Sequence, residues 1–400
     1  MSLTDFKPEF DNAYQEIWQK TLVSKEIMNT RFEPTLRYGE SVERVSYNID
    51  AVRVRDVVRG SASTIDALTD SSQLLEVNIE KEAVFHISDG EATQAGPMNP
   101  GEVIGGRIAH KVAQSLDARC FAEIGNAANT FDSGDLTTQA STGVPITLDA
   151  TTVPQMTTRM SAKLQYKENQ NTTTNMAFVV DAYSAADIEQ YLLSKDIDIA
   201  GAVFKGGYAG VVRNAQLYVS ENLLSTATLT YTGVGDATVV INGVTFTMEA
   251  TCAAAGDVDI KGSATLQAAQ LVDAINNAEG YAAGAGAAAT YFEVSAADRA
   301  ILDDANVSAS NVAGVITLTG AGRMVVSETE TNAAWSNNTL NAYFGKKGAI
   351  DLVVQDMSPV DMRETDDRRG TNVFSSYLAG VKTFTDGSKQ FLNVLINVGV

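Results

Sequence analysis

The chain has 400 residues, a net charge of −20 at pH 7 and 44% hydrophobic residues. This composition excludes an intrinsically disordered chain and predicts a folded, soluble protein of two or three domains. The strong acidity argues against a protein that grips nucleic acid through its phosphates, because such binding needs clustered Lys and Arg.

Neither export nor membrane insertion is indicated. The first residues, MSLTDFKPEFDNAYQEIW, contain no basic segment and no apolar core of a secretory signal. No window approaches the roughly 18 apolar residues that a membrane span needs. The two cysteines, Cys120 and Cys252, form no paired or metal-type spacing. We therefore expect a reducing cytosol, no disulfide framework and no membrane anchor.

Two alternating runs predict a long β-hairpin. The first, SVERVSYNIDAVRVRDVV, changes phase near Ala51, which predicts a bend or bulge. The second places apolar residues on one face: Leu75, Val77, Ile79, Ala83, Phe85 and Ile87. The polar segment between the runs, residues 60–72, predicts a loop. Because an isolated hairpin is marginally stable in water, we expect it to lie against another element or another chain.

Two amphipathic helices are predicted next. In the first, over residues 99–125, Asn99 can cap and Pro100 suits the first helical position. Its apolar stripe recurs every fourth residue: Ile104, Ile108, Val112, Leu116, Cys120 and Ile124. The second helix covers residues 153–164, where Met156, Met160 and Leu164 share a face. Each helix should bury one face.

A mixed α/β passage follows. It contains a strand at MAFVV, a helix at SAADIEQYLLSK with Ser184 and Asp187 in capping-box positions, and a strand at AQLYVSE. The glycines of KGGYAGVVRN between the helix and the second strand predict a flexible link. The end of the chain continues in the same style, with a strand at AIDLVVQD and a hairpin that turns at Asp386-Gly387.

Residues 225–337 interrupt this passage with a composition rich in Ala, Gly and Thr. Their only basic residues are Lys261, Arg299 and Arg323. Asn242-Gly243 predicts a tight hairpin turn inside TVVINGVTFTME. A helix over residues 265–278 and strands at 291–294 and 315–319 are also predicted. We interpret the segment as a small α+β domain inserted into a loop of its host.

No pattern in the chain carries a recognisable catalytic chemistry. His86 lies in an alternating strand and His110 on the long helix, neither in a two-ligand metal spacing. KGGYAG departs from both the P-loop and the dinucleotide-binding order, and no GxSxG is present. GKKGAI and DMRETDDRRG are typical of a basic turn and a salt-bridged loop. We predict no enzymatic activity, no cofactor and no metal site.

The order of these elements resembles the major capsid proteins of tailed bacteriophages, the family with the HK97-type fold. The hairpin at residues 41–89 looks like the family's extended loop, and the capped helix at 99–125 looks like its spine helix. The passage MAFVVDAYSAADIEQYLLSK to GGYAGVVRNAQLYVSENLL resembles the axial domain. KKGAIDLVVQDMSPVDMRETDDRRG and the final GVKTFTDGSKQFLNVLINV are similar to the closing strands. The resemblance covers most of residues 1–224 and 338–400.

The resemblance implies an α+β, HK97-like capsid fold divided into five parts. These are an N-terminal arm (1–40), an extended hairpin loop (41–95), a peripheral domain with the spine helix (96–150), an axial domain (151–224 and 338–400) and an inserted small α+β domain (225–337). The inserted domain and the lack of a scaffolding extension before the arm depart from the family pattern. Scaffolding would then be a separate protein, or an extension already absent from this sequence.

The implied function is self-assembly into the icosahedral shell of a tailed double-stranded DNA bacteriophage. Copies would form hexamers and pentamers, with portal, scaffolding and decoration proteins as further partners, and would enclose DNA without reading its sequence. The protein would reside in the virion, after assembly in the host cytoplasm. Candidate intersubunit contacts are the charged residues of the hairpin: Arg53, Arg55, Arg59, Glu76, Glu80 and Glu82.

Two alternatives remain open from the sequence. An encapsulin-like cellular compartment has the same fold but carries enzyme cargo, and the added domain and the long hairpin favour the virus. A bacterial surface adhesin belongs to a different class. The Thr- and Gly-rich middle of the chain suggests it, whereas the missing export signal counts against it.

Overall fold

The computed structural model of the chain describes most of its residues. They are 22–33, 40–47, 52–56, 59, 65–67, 70–88, 100–168, 170–172, 174–194, 208–212, 214–233, 235, 237–260, 262–278, 290–329, 333–364 and 370–399. Their helices are α1 Ser24–Ile27, α2 Pro100–Ala122, α3 Thr152–Glu168, α4 Ala182–Ser194, α5 Ala264–Asn276, α6 Ala296–Asp304 and α7 Thr385–Ser388.

The strands are numbered in chain order. They are β1 Ser41–Tyr47, β2 Asp70–Glu76, β3 Ile79–Ser88, β4 Asn129–Phe131, β5 Met176–Val180, β6 Tyr208–Val212, β7 Ala215–Val219, β8 Leu224–Tyr231, β9 Ala237–Ile241, β10 Val244–Glu249, β11 Asp257–Asp259, β12 Ser308–Val312, β13 Val315–Ala321, β14 Val326–Glu328, β15 Ala333–Lys346, β16 Asp351–Glu364, β17 Gly370–Lys382 and β18 Phe391–Asn397.

The chain divides into two compact units. The described residues of the first lie within 27–112 and 348–389, and those of the second lie within 20–26, 113–347 and 390–400. Among the helices that the structure describes, none is both long and apolar enough to cross a bilayer.

The first unit contains the hairpin and a three-stranded antiparallel sheet. β1 pairs with β2 from Ser41 opposite Glu76 to Tyr47 opposite Asp70. β3 pairs with β17, which also pairs with β16. Leu75, Val353 and Phe384 form a small buried cluster of this unit. The base of the hairpin is therefore fixed by apolar packing inside its own unit.

The predicted second arm of the hairpin is two strands, which corrects the prediction of one long strand. β2 pairs with the first arm, and after Val77 the chain changes partner, so that β3 pairs with β17 instead. The physical reason is a close crossing at Gly380, where a Cβ would lie 2.4 Å from the Glu76 carbonyl oxygen. The alternation itself is confirmed, because Glu76, Glu80 and Glu82 are exposed while Leu75 is buried. The predicted slip near Ala51 lies outside the described residues.

The second unit is built on a nine-stranded sheet. Its order is β12-β13-β8-β15-β5-β7-β6, and β18 pairs with both β15 and β4. All five residues of β5 are buried at its centre. Both predicted amphipathic helices are confirmed. α2 begins at Pro100 and buries Val112, Leu116 and Cys120, and α3 buries Val153, Met156, Met160 and Leu164.

Several local predictions in this passage are wrong. Tyr208–Val212 is not a flexible link but strand β6, which forms a hairpin with β7. Helix α4 begins at Ala182, and the carboxylate of Asp181 rather than Ser184 caps it by accepting from the Ser184 N–H at 3.2 Å. An acceptor just before the first helical turn satisfies an otherwise free N–H, which explains the earlier start.

The predicted terminal hairpin is also wrong. Asp386-Gly387 lies in the short helix α7, and the flanking strands β17 and β18 belong to different sheets. Gly387 packs against Ala349, where a Cβ would lie 2.1 Å from the carbonyl oxygen. The turn therefore directs the chain from one unit to the other instead of folding it back on itself. The first residues of DMRETDDRRG, predicted as a loop, continue strand β16 to Glu364.

Residues 225–337 have an apolar core of their own. A cluster of buried side chains draws only on residues 227–335, with Phe246, Leu271 and Trp335 among them. The predicted turn is confirmed, because Asn242 and Gly243 have φ values of 52° and 86°, as a two-residue hairpin turn requires. Helix α5 and strand β13 are confirmed, whereas the predicted strand at 291–294 contributes only an isolated bridge at Tyr291.

The borders of this segment lie within strands rather than within loops. β8 begins at Leu224, and β15 runs without a break from Ala333 to Lys346. The two strands pair with each other, and further along β15 pairs with β5 of the host sheet. The segment is thus joined to its host by a β-ladder whose register shifts between Ser336 and Thr339.

Candidate contact surface

The tip of the hairpin is held by an ion pair within the chain. Arg55 donates through both guanidinium nitrogens to Asp66, at 2.6 and 2.9 Å, and the backbone N–H of Arg53 donates to Asp66 at 2.9 Å. These bonds hold the pKa of Asp66 below its ordinary value, with the Arg55 hydrogen bond as the main cause. The two sides of the tip are therefore joined by a bidentate contact.

Apolar side chains that neighbour this ion pair in the sequence face solvent. Val54 and Ile65 are almost fully exposed, at 103% and 91%, and Val52 is half exposed. Exposed β-branched residues on both sides of an arm offer apolar area that a second surface can cover. The tip therefore has an ion pair that joins its two sides, and apolar side chains that are exposed to solvent.

The predicted glutamates lie on two different sheets. Glu80 and Glu82 stand on the outer face of β3, opposite Leu378 and Ser376 of β17. Glu76 stands at the end of β2, opposite Ser41. The structure thus brings Glu80 and Glu82 together and places Glu76 apart from them.

The predicted arginines divide in the same way. Arg53 and Arg55 lie together at Asp66, and Arg59 is exposed in a turn. Arg55 therefore has an acidic partner within its own chain, Asp66. A role of the six residues in contacts between copies stays a prediction.

The base of the hairpin has a cation that the sequence reasoning missed. Arg44 lies 3.3 Å from Asp386 and 3.9 Å from Asp351, and its guanidinium lies 5.2 Å from the ring centre of Phe384. Asp351 also accepts from the side chain of Asn29. No local sequence pattern signals this cluster, because its members come from distant parts of the chain.

A second missed group is the buried carboxylate of Asp117 on α2. It accepts from the N–H groups of Val23 and Ser24, each at 3.2 Å, and from the Ser24 hydroxyl. Burial is the main cause that raises its pKa to about 6, with these hydrogen bonds opposing the shift. Burial, assisted by Asp117, also raises the pKa of the Cys120 thiol. Asp117 therefore fastens the start of α1 to the long helix.

We expect the contribution of Asp117 to stability to fall as the pH rises. Its pKa is about 6 in the folded chain and near 3.8 when unfolded, so the folded state binds the proton more tightly. The contribution is fully present below pH 4 and is lost through pH 6. Between pH 4.5 and 7 the free energy of unfolding should fall by about 2 kcal/mol through this group.

Urea unfolding of the native chain and of Asp117→Asn at both pH values measures this contribution. The asparagine cannot ionise, so the native chain should lose about 2 kcal/mol more than the variant over the interval. Equal losses in the two proteins would contradict the assignment.

A third group joins residues 225–337 to the host part of the second unit. Arg323 donates to Asp181 at 2.9 Å and to the carbonyl oxygen of Val398 at 3.2 Å, and it lies 4.9 Å from the ring centre of Tyr183. Asp181 is 1% exposed and also caps α4. The buried carboxylate of Asp181 therefore caps helix α4 and also binds Arg323 of residues 225–337.

The histidines occupy the positions that the sequence indicated. His86 lies in β3, where its Nδ1 is 2.8 Å from Oδ1 of Asn372, and His110 is exposed on α2. Within the ranges given above, no three His, Cys, Asp or Glu side chains are grouped so that they could hold a metal ion.

Comparison with known proteins identifies the fold. No family model and no curated protein matches the chain. A solved structure titled Mycobacterium phage Che8 is similar at a TM-score of 0.50 and 13% identity, over 94% of this chain and 91% of that chain. Capsid structures of the cyanophage P-SCSP1u and of Ralstonia phage GP4 are similar at TM-scores of 0.44, with 10% and 9% identity. They cover 89% and 93% of this chain, and 83% and 87% of theirs.

The chain shares its fold with the Che8 phage structure along nearly the whole of both chains. The predicted fold class, α+β of the HK97 capsid type, is thereby confirmed.

Proposed function

We propose that the chain is the major capsid protein of a tailed bacteriophage, and that its copies assemble into the icosahedral shell around double-stranded DNA. The observation that supports this most is the likeness to the Che8 phage structure, which extends over 94% of this chain. A match of nearly whole length leaves little room for a separate catalytic domain. The role is therefore structural, and the chemistry is repeated self-association.

The hairpin supplies one contact between copies in this proposal. Its base is fixed inside its own unit, whereas its tip exposes Val54 and Ile65. An apolar tip on a clamped arm suits the surface of a neighbouring subunit. The exposed Glu80 and Glu82 then meet cations of that neighbour. Hexamers and pentamers would arise from such contacts, and portal, scaffolding and decoration proteins would join the shell.

Residues 225–337 form, in the same proposal, an inserted domain on the outer surface of the shell. Their separate apolar core supports a domain, and the β-ladder through β8 and β15 fixes its attachment. The division of the other residues into an arm, a hairpin loop, a peripheral domain and an axial domain stays a prediction. The shell would reside in the virion after assembly in the host cytoplasm.

Electron microscopy of the purified chain, alone and with a scaffolding protein, tests the function. We expect closed shells of uniform size. Monomers or fibres under all conditions would contradict the proposal, and fibres would favour an adhesin. Shells that enclose protein cargo and exclude DNA in the producing cell would favour the encapsulin-like compartment.

Charge reversal tests the hairpin contact. The double variant Glu80→Lys/Glu82→Lys should give at least tenfold fewer shells at low salt, because two charges per copy are reversed at every repeat. Raising the salt should narrow the difference from the native chain. The matched control is Glu249→Lys, an exposed glutamate of β10, which should assemble normally. Native shell yield from the double variant would contradict the contact.

A further inference from the structure

A cavity of about 250 Å³ lies beside helix α3. Its main lining residues come from α3 and from the chain around and after β4: Phe131, Asp135, Arg159, Lys163, Tyr166 and Lys167. Lys163 lies four positions after Arg159, and Tyr166 and Lys167 lie three and four positions after Lys163, so the four residues share one side of the helix. This side is next to the buried face of α3 but distinct from it.

The cavity is positively charged on a strongly acidic chain. Lys163 is fixed by an ion pair with the buried Asp135 at 2.6 Å. Arg159 donates to the carbonyl oxygen of Asp135 at 3.2 Å, which leaves its charge without a carboxylate partner among the described residues. Lys167 is exposed. Three cations and one carboxylate leave a local charge of about +2, which attracts an anionic group.

The cavity also has aromatic walls. Phe131 is fully buried, whereas the Tyr166 side chain is 80% exposed. An engineered apolar cavity of about 150 Å³ is enough to hold benzene, so this cavity can hold one aromatic side chain. A tyrosine that stands in solvent beside two cations offers a stacking surface and positive charge together.

These features fit an acidic peptide better than a nucleic acid. A phosphate backbone is bound by rows of free cations that displace counterions, and here one of the three cations is already neutralised by Asp135. The net charge of −20 also opposes an approach of nucleic acid. A partly open cavity large enough for one ring, with cations at its rim, matches an aromatic residue flanked by carboxylates.

We propose that the cavity binds the segment DFKPEFD, residues 5–11, of a second copy of this chain. The segment carries Asp5, Glu9 and Asp11 against Lys7, so its charge of −2 matches the +2 of the cavity. Phe6 or Phe10 would fill the cavity, and the carboxylates would meet Arg159 and Lys167. This inference rests on the proposed function, because it names the position at which one copy receives the arm of another.

The chain between the segment and the first described residue is long enough for this contact. Ten residues lie between Asp11 and Leu22, which makes eleven residue-to-residue steps, and an extended chain spans roughly 3.3–3.6 Å per step, or about 36–40 Å in all. Leu22 is buried, and Val23 and Ser24 are fastened to Asp117. An arm anchored at that end can therefore extend up to about 40 Å from Leu22.

Photo-crosslinking in assembled shells tests the proposal. One population carries a photoreactive phenylalanine analogue in place of Phe10, and a second, uniformly labelled with ¹⁵N, supplies the acceptor subunits. We expect mass spectrometry to find unlabelled arm peptides joined to ¹⁵N-labelled peptides around residues 131–139 or 159–167. A parallel analogue in place of the exposed Tyr183 should not label these peptides.

A charge swap gives the second measurement. Lys167→Glu in the acceptor should reduce the crosslink at least fivefold, and Glu9→Lys in the arm should restore most of it. The same reversal at the exposed Arg107 on α2 should leave the crosslink unchanged. If Lys167→Glu prevents assembly, a labelled peptide of residues 4–12 titrated onto native and variant subunits should show the same fivefold loss of affinity.

The outcomes separate this inference from the proposed function. If no shells form, the proposed function fails. If shells form, the arm can still crosslink to peptides outside the cavity, to DNA, or only to cavity peptides that carry no ¹⁵N label and so belong to the unlabelled population. Each of these results overturns the inference and leaves the proposed function standing. An unchanged crosslink in Lys167→Glu would also overturn it.

Discussion

Gly345→Ala is expected to lower the free energy of unfolding of the second unit by about 3 kcal/mol or more. Gly345 lies in β15, directly opposite Phe391 of β18 and Ala177 of β5. A Cβ built there would lie 2.2 Å from the Phe391 Cβ and 2.5 Å from its Cα. Since the obstacle is backbone rather than the end of a flexible side chain, β18 must move and the central ladder must break. Urea unfolding and the soluble yield measure the effect.

The matched control is Gly262→Ala. A Cβ at Gly262 meets nothing within 4 Å, and its φ needs no glycine. This variant should unfold within about 0.5 kcal/mol of the native chain. If Gly345→Ala behaved like the control, the close approach of β15 and β18 would be wrong.

Arg323→Ala is expected to lower the free energy of unfolding by about 3 kcal/mol, because it leaves the buried carboxylate of Asp181 without its cation. Arg323 is the donor of the contacts to Asp181 and Val398 described above. The separate core of residues 227–335 stays intact in this variant. Hydrogen exchange should therefore accelerate at the start of α4 and around residue 322, and should change little in β9 and β10.

A double-mutant cycle with Asp181→Asn separates the pair from general damage. We expect a coupling energy above about 1 kcal/mol between the two substitutions, since they remove one interaction. Asp187→Asn, at an exposed position of the same helix, should be neutral and uncoupled. Additive effects of Arg323→Ala and Asp181→Asn would show that the ion pair between these two side chains does not stabilise the fold.

The elements that the sequence predicts well are those whose signals are local. The stripe from Val112 to Ile124 and the methionines of α3 repeat at helical spacing over several turns, and these faces are buried. Asn242-Gly243 adopts the backbone that its turn type requires. In each case short-range periodicity and the packing of the fold favour the same structure.

The errors arise where a distant contact decides the outcome. The partner change after Val77 depends on Gly380, some three hundred residues later, and Gly387 directs the end of the chain through its contact with Ala349. Asp181 caps α4 while it also meets Arg323. None of these contacts leaves a periodic trace in the sequence.

The exposure of the charged hairpin residues was predicted, but their partners were not. Alternation correctly places Glu80 and Glu82 on an exposed face, because period two is a local property of a strand. It cannot show that Arg55 pairs with Asp66, since the fold of the tip sets that partner. Asp117 was missed because it lies on a helix whose neighbouring positions are apolar.

Strand β15 determines how residues 225–337 respond to mechanical load, although its pairing with β8 shifts register between Ser336 and Thr339. A domain hung on flexible loops would swing at its linkers under a sideways force. Here the force passes along one strand, from Ala333 to Lys346, into ladders with β8, β5 and β18. Such a pull shears many parallel-acting hydrogen bonds together instead of bending a hinge. The segment is therefore attached through a strand of the sheet, and it cannot be exchanged as a cassette without cutting that strand.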